Sequence, residues 1–526
     1  KCFNKIKNME NKECPHVETI WDIDPNFESP DTESRLWENS EPPSRPFKPE
    51  LKKIHPNILH AIGMTPVVKL NKIPQSLGIK CDMYAKCEFL NPGGSVKDRI
   101  GYRMVLDAEE KGLVQEGSTI IEPTSGNTGI GVALACAVKG YKCIIVMAEK
   151  NSNEKVDTLK ILGAEIIRTP TEAGYLSPKG IFAVSQELQK KIPNSVIMGQ
   201  YSNPSNWLAH KEGTGSELLW QFDNDIDMVV AGAGTGGTVT GIGKALKENC
   251  PKCKIVSFDP EGSILARPEP MNKSNTTFFE VEGIGYDFIP TVLKHDYVDK
   301  WYKSNDLDAF PMSRRLIAEE GLLCGGSSGA AMTIALKAAK ELKEGDKCVV
   351  ILPDGIRNYM TKFVSDHWMQ VRGFLPLENK CDFWWWNNYA NEVPTADLIP
   401  IQSTQTIQEA TDALTSQGVD QLPVVSNEGH LLGLVTMENL ITKLCEGATN
   451  GNSIMTVLQK TFSKVKENTN LSLVSCILQK EHFVVVTGVA PVPCSKPQEK
   501  LLKIITRAEF LNYITNSNHD NDKNKL

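Results

Sequence analysis

Four short turns, dense in glycine and hydroxyl side chains, punctuate the middle of this 526-residue chain. They are Asn91-Pro92-Gly93-Gly94-Ser95-Val96-Lys97-Asp98-Arg99, Pro123-Thr124-Ser125-Gly126-Asn127-Thr128-Gly129, Gly232-Ala233-Gly234-Thr235-Gly236-Gly237-Thr238 and Cys324-Gly325-Gly326-Ser327-Ser328-Gly329. Each lies beside an apolar run or opens a helical pattern. A turn of this kind leaves unpaired backbone N–H groups at a helix N-terminus, where they can receive an anion. The runs around them are β-branched and nearly continuous: Thr119–Ile121, Cys143–Val146, Glu165–Ile167, Asp227–Val230, Lys254–Val256 and Cys348–Leu352. Strands that are apolar on both faces are buried on both faces, and helices between them make parallel crossovers. Residues 51–370 are therefore predicted to form an α/β domain with parallel sheets.

At roughly 100–200 residues per domain, the length leaves room for about three domains. Residues 1–50 carry six prolines between Pro25 and Pro49 and few clustered apolar residues, which predicts an irregular extension. Residues 371–394 read as a linker whose Phe383-Trp384-Trp385-Trp386 cluster is a docking pad between domains. Two weakly similar units follow, about 395–446 and 453–515, each ending in a strand, a threonine, an acidic residue and a helix, which predicts an internal duplication. Residues 516–526 read as a frayed tail. The balance of 57 basic against 64 acidic residues argues against non-specific nucleic-acid binding. No apolar run approaches the roughly 18 residues of a membrane span, and the first 28 residues hold no apolar core of a secretion signal. The 14 scattered cysteines fit reduced thiols, so a soluble cytoplasmic protein is expected.

Each turn has a chemical and a plain reading. Lys97, in the first turn of a helix expected to end near Gly112, meets the positive end of the helix dipole. That placement eases loss of the proton an amine must shed before attacking a carbonyl; the plain alternative is a solvated lysine paired with Asp98. The Thr124–Gly129 turn offers hydroxyls and N–H groups to a carboxylate or phosphate, or is a capped Asn-Gly turn. The third turn satisfies G-x-G-x-x-G through Gly232, Gly234 and Gly237, with Asp259 ending the next strand where a dinucleotide ribose would need a carboxylate. A nicotinamide dehydrogenase is thus a rival to a smaller phosphate ester on the same glycines. In the fourth turn, Ser327 or Ser328 reads as a cap on a helix over 330–342.

Taken in order, the four turns resemble the β-family (fold type II) of pyridoxal-phosphate enzymes. Glu282-Gly283-Ile284-Gly285-Tyr286-Asp287-Phe288-Ile289-Pro290 and Asn358-Tyr359-Met360-Thr361-Lys362-Phe363 narrow the resemblance to the animal, insect-like cystathionine beta-synthase family, over about residues 51–515. It implies a two-subdomain catalytic domain followed by an α/β Bateman module of tandem CBS motifs. It also implies that pyridoxal 5'-phosphate is held covalently by Lys97, which then removes the substrate Cα proton. Gly234, Thr235, Gly236, Gly237 and Thr238 would seat the phosphate, Asn127 would bond the ring hydroxyl, and Ser327 would face the pyridine nitrogen. Thr124, Ser125, Thr128 and Gln200 would bind the amino-acid carboxylate, while Tyr201, Gly283 and Tyr286 would shape the second-substrate site. The implied reaction is condensation of L-serine with L-homocysteine to cystathionine and water in a homodimer, with hydrogen sulfide released when cysteine replaces serine. The alternative is a cysteine synthase using O-acetylserine and sulfide. A different class altogether is a nucleotide-sensing regulatory protein whose α/β part is inert.

The sequence departs from the resemblance in the heme-binding segment and in the tail. Leu36 stands where heme-bearing relatives have a cysteine, no histidine lies between Trp37 and Phe47, and Lys244 replaces an arginine, so heme is not expected. Cys14, His16, His55 and His60 are left as substitutes. Cys250-Pro251-Lys252-Cys253 matches a C-x-x-C of relatives, lacks the second pair that zinc needs, and reads as two reduced thiols in a loop, with a redox switch as the alternative. In the tail, Thr506 and Glu509, Thr436 and Asn439, and Val419 to Gln421 match only partly the element that binds S-adenosylmethionine in relatives, so that ligand is not expected to activate the enzyme.

Overall fold

The computed structural model describes residues 44–46, 54–149, 151–171, 173–276, 278–377, 383–459, 462–489 and 499–516. The expected extension, apart from residues 44–46, and the tail beyond Asn516 lie outside the described residues, as do Cys14, His16, Leu36 and Trp37. The chain divides between Val364 and Ser365 into two compact units.

The first unit is built on two sheets. One has four parallel strands in the order β5-β4-β3-β6: β3 Thr119–Pro123, β4 Lys142–Ala148, β5 Glu165–Thr169 and β6 Ser195–Ile197. The other has six, in the order β1-β2-β10-β7-β8-β9: β1 Val67–Lys69, β2 Asp82–Cys87, β7 Met228–Gly232, β8 Lys254–Pro260, β9 Lys300–Ser304 and β10 Lys347–Leu352. Only the β1–β2 pair is antiparallel. The six expected runs are all strands. Every residue of β3 is buried, as a strand covered on both faces requires.

Five helices carry the turns or their supports: α1 Lys97–Glu110, α2 Asn127–Lys139, α3 Asn153–Ile161, α4 Gly237–Asn249 and α5 Gly326–Ala338. Helix α1 buries Ile100, Met104, Val105 and Ala108, the spacing of one helical face. Chain reversal follows at Gly112, whose φ is +70°. Helix α5 starts four residues before the expected Ala330 and has no side-chain cap; its cap residue is Gly325, and Ser327 is its second residue. The expected serine cap is therefore corrected: the backbone of Gly325 starts the helix, and the Ser327 side chain is left for other use.

Helices α1 and α2 meet at glycines that sit four residues into each. A Cβ added to Gly101 would stand 2.4 Å from the Gly131 carbonyl carbon, and one on Gly131 would stand 2.7 Å from the Lys97 carbonyl oxygen. Only hydrogen fits there, so the backbones touch and the two helix N-termini, Lys97 and Asn127, are drawn together. Behind them Arg99 anchors the start of α1. Its guanidinium pairs with Glu88 at 2.7 Å and Glu217 at 2.6 Å, and Lys86 pairs with Glu217 at 2.7 Å, all buried. Buried charges persist only when paired and hydrogen-bonded, and here every member has partners.

The second unit contains the expected duplication as a repeated topology. In the first half β11 Ile401–Gln402 runs parallel to β12 Gln421–Val425, which pairs antiparallel with β13 Leu431–Thr436. The second half repeats this with β14 Lys464–Lys466, β15 Phe483–Val489 and β16 Glu499–Thr506. Each half has a helix between its first two strands and another after its third. Of the tryptophan cluster, Trp385 meets Phe510 at 5.3 Å and Trp384 meets Tyr513 at 5.4 Å between ring centroids, so these rings pack on the last helix of this unit, Arg507–Asn516.

Gly131→Ala should lower the unfolding free energy by about 1–3 kcal/mol, because the new methyl meets backbone rather than a yielding side chain. Urea denaturation followed by far-UV circular dichroism measures it; an unchanged first transition would contradict the close approach.

Candidate active site

The first unit holds a cavity that encloses about 730 Å³, open solvent included. All four turns reach its wall, through Lys97, through Ser125, Asn127 and Thr128, through Gly234, Thr235, Gly236 and Thr238, and through Ser327. Gln200, Gly283 and Tyr286 complete the set of expected residues that line it. Three others stand just behind. Thr124 accepts a 3.1 Å hydrogen bond from Gly126 N and holds the second turn in shape. Gly237 is the first residue of α4, packed against Asn206. Tyr201 is buried, with its hydroxyl 3.3 Å from that of Tyr286.

Lys97 is not paired with Asp98, which corrects the plain reading of that turn. Asp98 turns back to accept from Gly93 N at 2.6 Å, and burial pushes its carboxyl up to about 7. The Lys97 amine instead donates to Thr235 Oγ1 at 3.4 Å across the cavity. Burial lowers its pKa to about 8, against a smaller upward pull from Glu122. An amine so placed is largely charged at pH 7, yet far easier to deprotonate than a solvated lysine.

The third turn forms a cradle. Gly236, with φ +84°, is the cap residue of α4 and takes a conformation that a side chain would strain. The Thr235 hydroxyl accepts from Asn206 Nδ2 at 3.1 Å, which leaves its own hydrogen for the cavity. Thr238 Oγ1 lies 3.2 Å from His210 Nε2, whose other ring nitrogen is 2.9 Å from Thr214 Oγ1. Burial holds the His210 pKa well below the ordinary value, so the ring is neutral. His210 opens a π-helical segment, His210–Gly215, a widened turn often found at functional sites.

In the second turn, Thr128 Oγ1 donates to Gln200 Oε1 at 2.6 Å, and Gln200 Nε2 donates to Pro123 O at 3.3 Å. Glu122 fixes this corner by accepting from Gly199 N at 2.9 Å and Gln200 N at 3.3 Å; burial pushes its carboxyl up to about 8. Asn127 Nδ2 donates to Asp354 Oδ2 at 2.8 Å. Ser327 is buried on the wall at the start of α5.

Asp259 removes the dinucleotide reading. It is fully buried, with one oxygen bonded to Lys303 Nζ at 2.8 Å and the other to Leu265 N at 2.9 Å, so its carboxylate is spent within the fold. Lys244 places its ammonium 4.3 Å from the Trp207 ring centroid, His60 lies 3.0 Å from Asn57 Oδ1, and Cys250 and Cys253 are both buried. Among the described residues no group of three or more histidine, cysteine, aspartate and glutamate side chains could hold a metal ion.

Sequence reasoning missed four residues that shape the cavity: Glu122, Asn206, His210 and Asp354. A carboxylate inside a buried apolar strand, as at Glu122, was a signal available in the chain. The other three are brought in from afar by tertiary packing and had none.

Comparison with known proteins identifies the family. Residues 58–354 match the family described as "Pyridoxal-phosphate dependent enzyme", and residues 390–446 match "CBS domain". The chain is 51% identical over 482 residues to cystathionine beta-synthase of Mus musculus, covering 88% of this chain and 86% of the relative. It is 50% identical over 475 residues to the protein of that name from Apis mellifera, covering 89% and 93%. Among solved structures, an O-acetylserine dependent cystathionine beta-synthase from Helicobacter pylori is similar at 38% identity and a TM-score of 0.55, over 59% of this chain and 99% of that one. A hydrogen sulfide-producing enzyme from Fusobacterium nucleatum is similar at 36% identity and a TM-score of 0.54, over 58% and 100%.

In protein stripped of bound small molecules, acylation of Lys97, followed by peptide mass spectrometry, should rise through a midpoint near pH 8. Glu122→Gln removes a carboxyl that raises the Lys97 pKa as it ionises over the same pH range, so the midpoint should fall lower. A midpoint at the ordinary lysine value of about 10.4 in both proteins would contradict the burial argument.

Proposed function

We propose that this chain, which belongs to the cystathionine beta-synthase family of pyridoxal-phosphate dependent enzymes, uses the cavity to condense L-serine with L-homocysteine into L-cystathionine and water. The observation that carries the reading is a single cavity that joins the Lys97 amine, the N–H cradle of residues 234–238 and the hydroxyl-lined turn of residues 124–129.

The residues present fit pyridoxal 5'-phosphate. The start of α4 with Thr235 and Thr238 offers donors to a phosphate, and Lys97 offers an amine of lowered pKa to an aldehyde. Asn127 and Ser327 offer side chains to the ring oxygen and ring nitrogen. When bound, the cofactor supplies the electron sink that makes the substrate Cα proton removable. The remaining work falls to the protein. Ser125, Thr128, Gln200 and Thr124 hold the serine carboxylate, the last through the turn it braces. Lys97 Nζ takes the Cα proton and returns a proton to the hydroxyl leaving Cβ as water. The homocysteine thiol then gives its proton to Lys97 Nζ and its sulfur bonds to Cβ, in the space shaped by Gly283, Tyr286 and, behind it, Tyr201, and Lys97 returns that proton to Cα. Burial raises the pKa of both tyrosines, which keeps them neutral hydrogen-bonding walls rather than charges. Ser327 presents a neutral hydroxyl to the ring nitrogen, a weaker pull on electrons than a carboxylate there, and this favours β-elimination and replacement over transamination. Cysteine in place of serine releases hydrogen sulfide by the same route.

The second reading, a cysteine synthase using O-acetylserine and sulfide, has support for its first substrate alone: the similar Helicobacter pylori protein is described as an O-acetylserine dependent cystathionine beta-synthase. The two differ in leaving group and nucleophile, not in the residues that move the proton.

In the tail, Glu509 is spent locally. Its Oε2 accepts from Thr506 N and Oγ1, both at 2.8 Å, and its Oε1 accepts from Ala396 N at 2.9 Å. That supports an enzyme whose tandem CBS units do not answer to S-adenosylmethionine. We place the protein as a homodimer in the cytoplasm; no helix among the described residues is long and apolar enough to cross a membrane, and the cysteines described are free thiols.

Purified protein should show a visible cofactor band that changes on adding serine, and Lys97→Ala should lose the band shift and at least about a thousandfold in turnover while keeping its fold. Turnover with O-acetylserine and sulfide, but none with serine and homocysteine, would favour the second reading. Titration calorimetry with S-adenosylmethionine should show neither tight binding nor faster turnover.

A further inference from the structure

A chain of hydrogen bonds unused in the reaction above runs from the cavity wall into the body of the first unit. Asp354 Oδ2 accepts from Asn127 Nδ2 at 2.8 Å and also from the Tyr359 hydroxyl. Asn358 Nδ2 donates to Asn127 Oδ1 at 3.1 Å. Lys155 Nζ donates to the Tyr359 hydroxyl at 3.2 Å and to Glu282 Oε2 at 2.6 Å, and Lys362 pairs with the other Glu282 oxygen. Asp354, Tyr359 and Lys155 are 1%, 4% and 1% exposed, so water does not compete for these bonds.

The order of donors along this chain is dictated from its far end. An ammonium group can only donate, so the Tyr359 oxygen receives from Lys155 and must turn its own hydrogen towards Asp354. A carboxylate can only accept, so Asn127 must present its NH2 group to Asp354, with its carbonyl towards Asn358. Asp354 takes one of the two Nδ2 hydrogens of Asn127, whose side chain lines the cavity and can turn the other towards a bound molecule. With the amide turned over, the cavity would meet an acceptor instead.

We propose that Lys155, Tyr359 and Asp354 are positioning residues that lock the Asn127 amide as a donor to the ring oxygen of pyridoxal phosphate. The inference rests on the cofactor reading given above. A donated hydrogen bond favours the ionised ring oxygen, and this sets both the visible absorption and the affinity of the bound cofactor. Lys155 has a second task. Its partner Glu282 precedes Gly283 on the cavity wall, so one buried ammonium ties the ring-oxygen donor to the loop that shapes the second-substrate site.

The test compares holoenzyme variants Tyr359→Phe, Lys155→Met and Lys155→Arg with Asn127→Ala. Readouts are the visible spectrum, the dissociation constant of pyridoxal phosphate from fluorescence titration of apoprotein, and apoprotein thermal unfolding. Tyr359→Phe and Lys155→Met should shift the absorption in the same direction as Asn127→Ala. Both should weaken cofactor binding about tenfold, the size of one lost hydrogen bond to a charged group. Lys155→Arg, which keeps a buried donor cation, should restore the native spectrum. Tyr359→Phe removes one oxygen and keeps the ring, so it decides the matter if Lys155→Met fails to fold. Native spectra and affinities in both variants, or no spectral change in Asn127→Ala, would overturn the proposal. Failure of the cofactor reading itself would look different: the wild-type protein would carry no visible band.

Discussion

The active site depends on one contact in which nothing but hydrogen fits. Gly101 and Gly131 let α1 and α2 touch backbone to backbone, and each lies one turn beyond a residue that works in the cavity. A methyl group at either position would push apart Lys97 and Asn127, which both line the cavity. Larger forces stabilise the first unit, whose two sheets and helices bury extended apolar clusters. The glycine contact does something more specific: it converts two adjacent helix N-termini into two walls of one cavity.

Electrostatics follow from that geometry. Helices α1, α2, α4 and α5 all begin at the cavity, so the positive ends of four helix dipoles meet at a common space. Such a space favours anions and disfavours a cation, and burial acts on Lys97 in the same direction. Glu122, on its buried strand, supplies a smaller opposing pull that raises the Lys97 pKa as its own carboxyl ionises. Behind the cavity, Arg99 with Glu88, Glu217 and Lys86 forms a closed set of charges whose partners all lie within the protein. It holds the first turn of α1 without lending net charge to the site.

Much of the site was legible because its chemistry sits in consecutive residues. Each of the four turns carries its donors in a stretch shorter than ten residues, and the apolar runs beside them became strands. What escaped was non-local. Strand β2 contains Lys86, a charge that looks wrong in a buried strand until Glu217 meets it. Strands β1 and β6 have three residues each, too short for any periodicity. Asp259 had the right spacing for a ribose and proved to be a structural ligand of Lys303 and Leu265, because spacing says nothing of which partners arrive from elsewhere. His210 and Asp354 give no local sign, since each acquires its role only through Thr238 or Asn127. The tryptophan cluster was visible as a packing surface, but the helix it packs on lies more than a hundred residues later.

The account stands on Lys97, the 234–238 cradle and the 124–129 turn serving one bound molecule. A crystal structure of the enzyme with its cofactor tests this most directly. The account predicts continuous electron density from Lys97 Nζ into the pyridine ring, with the phosphate on the N–H groups at the start of α4 and Asn127 beside the ring oxygen. A ring seated elsewhere, or a Lys97 side chain turned away from it, would contradict it.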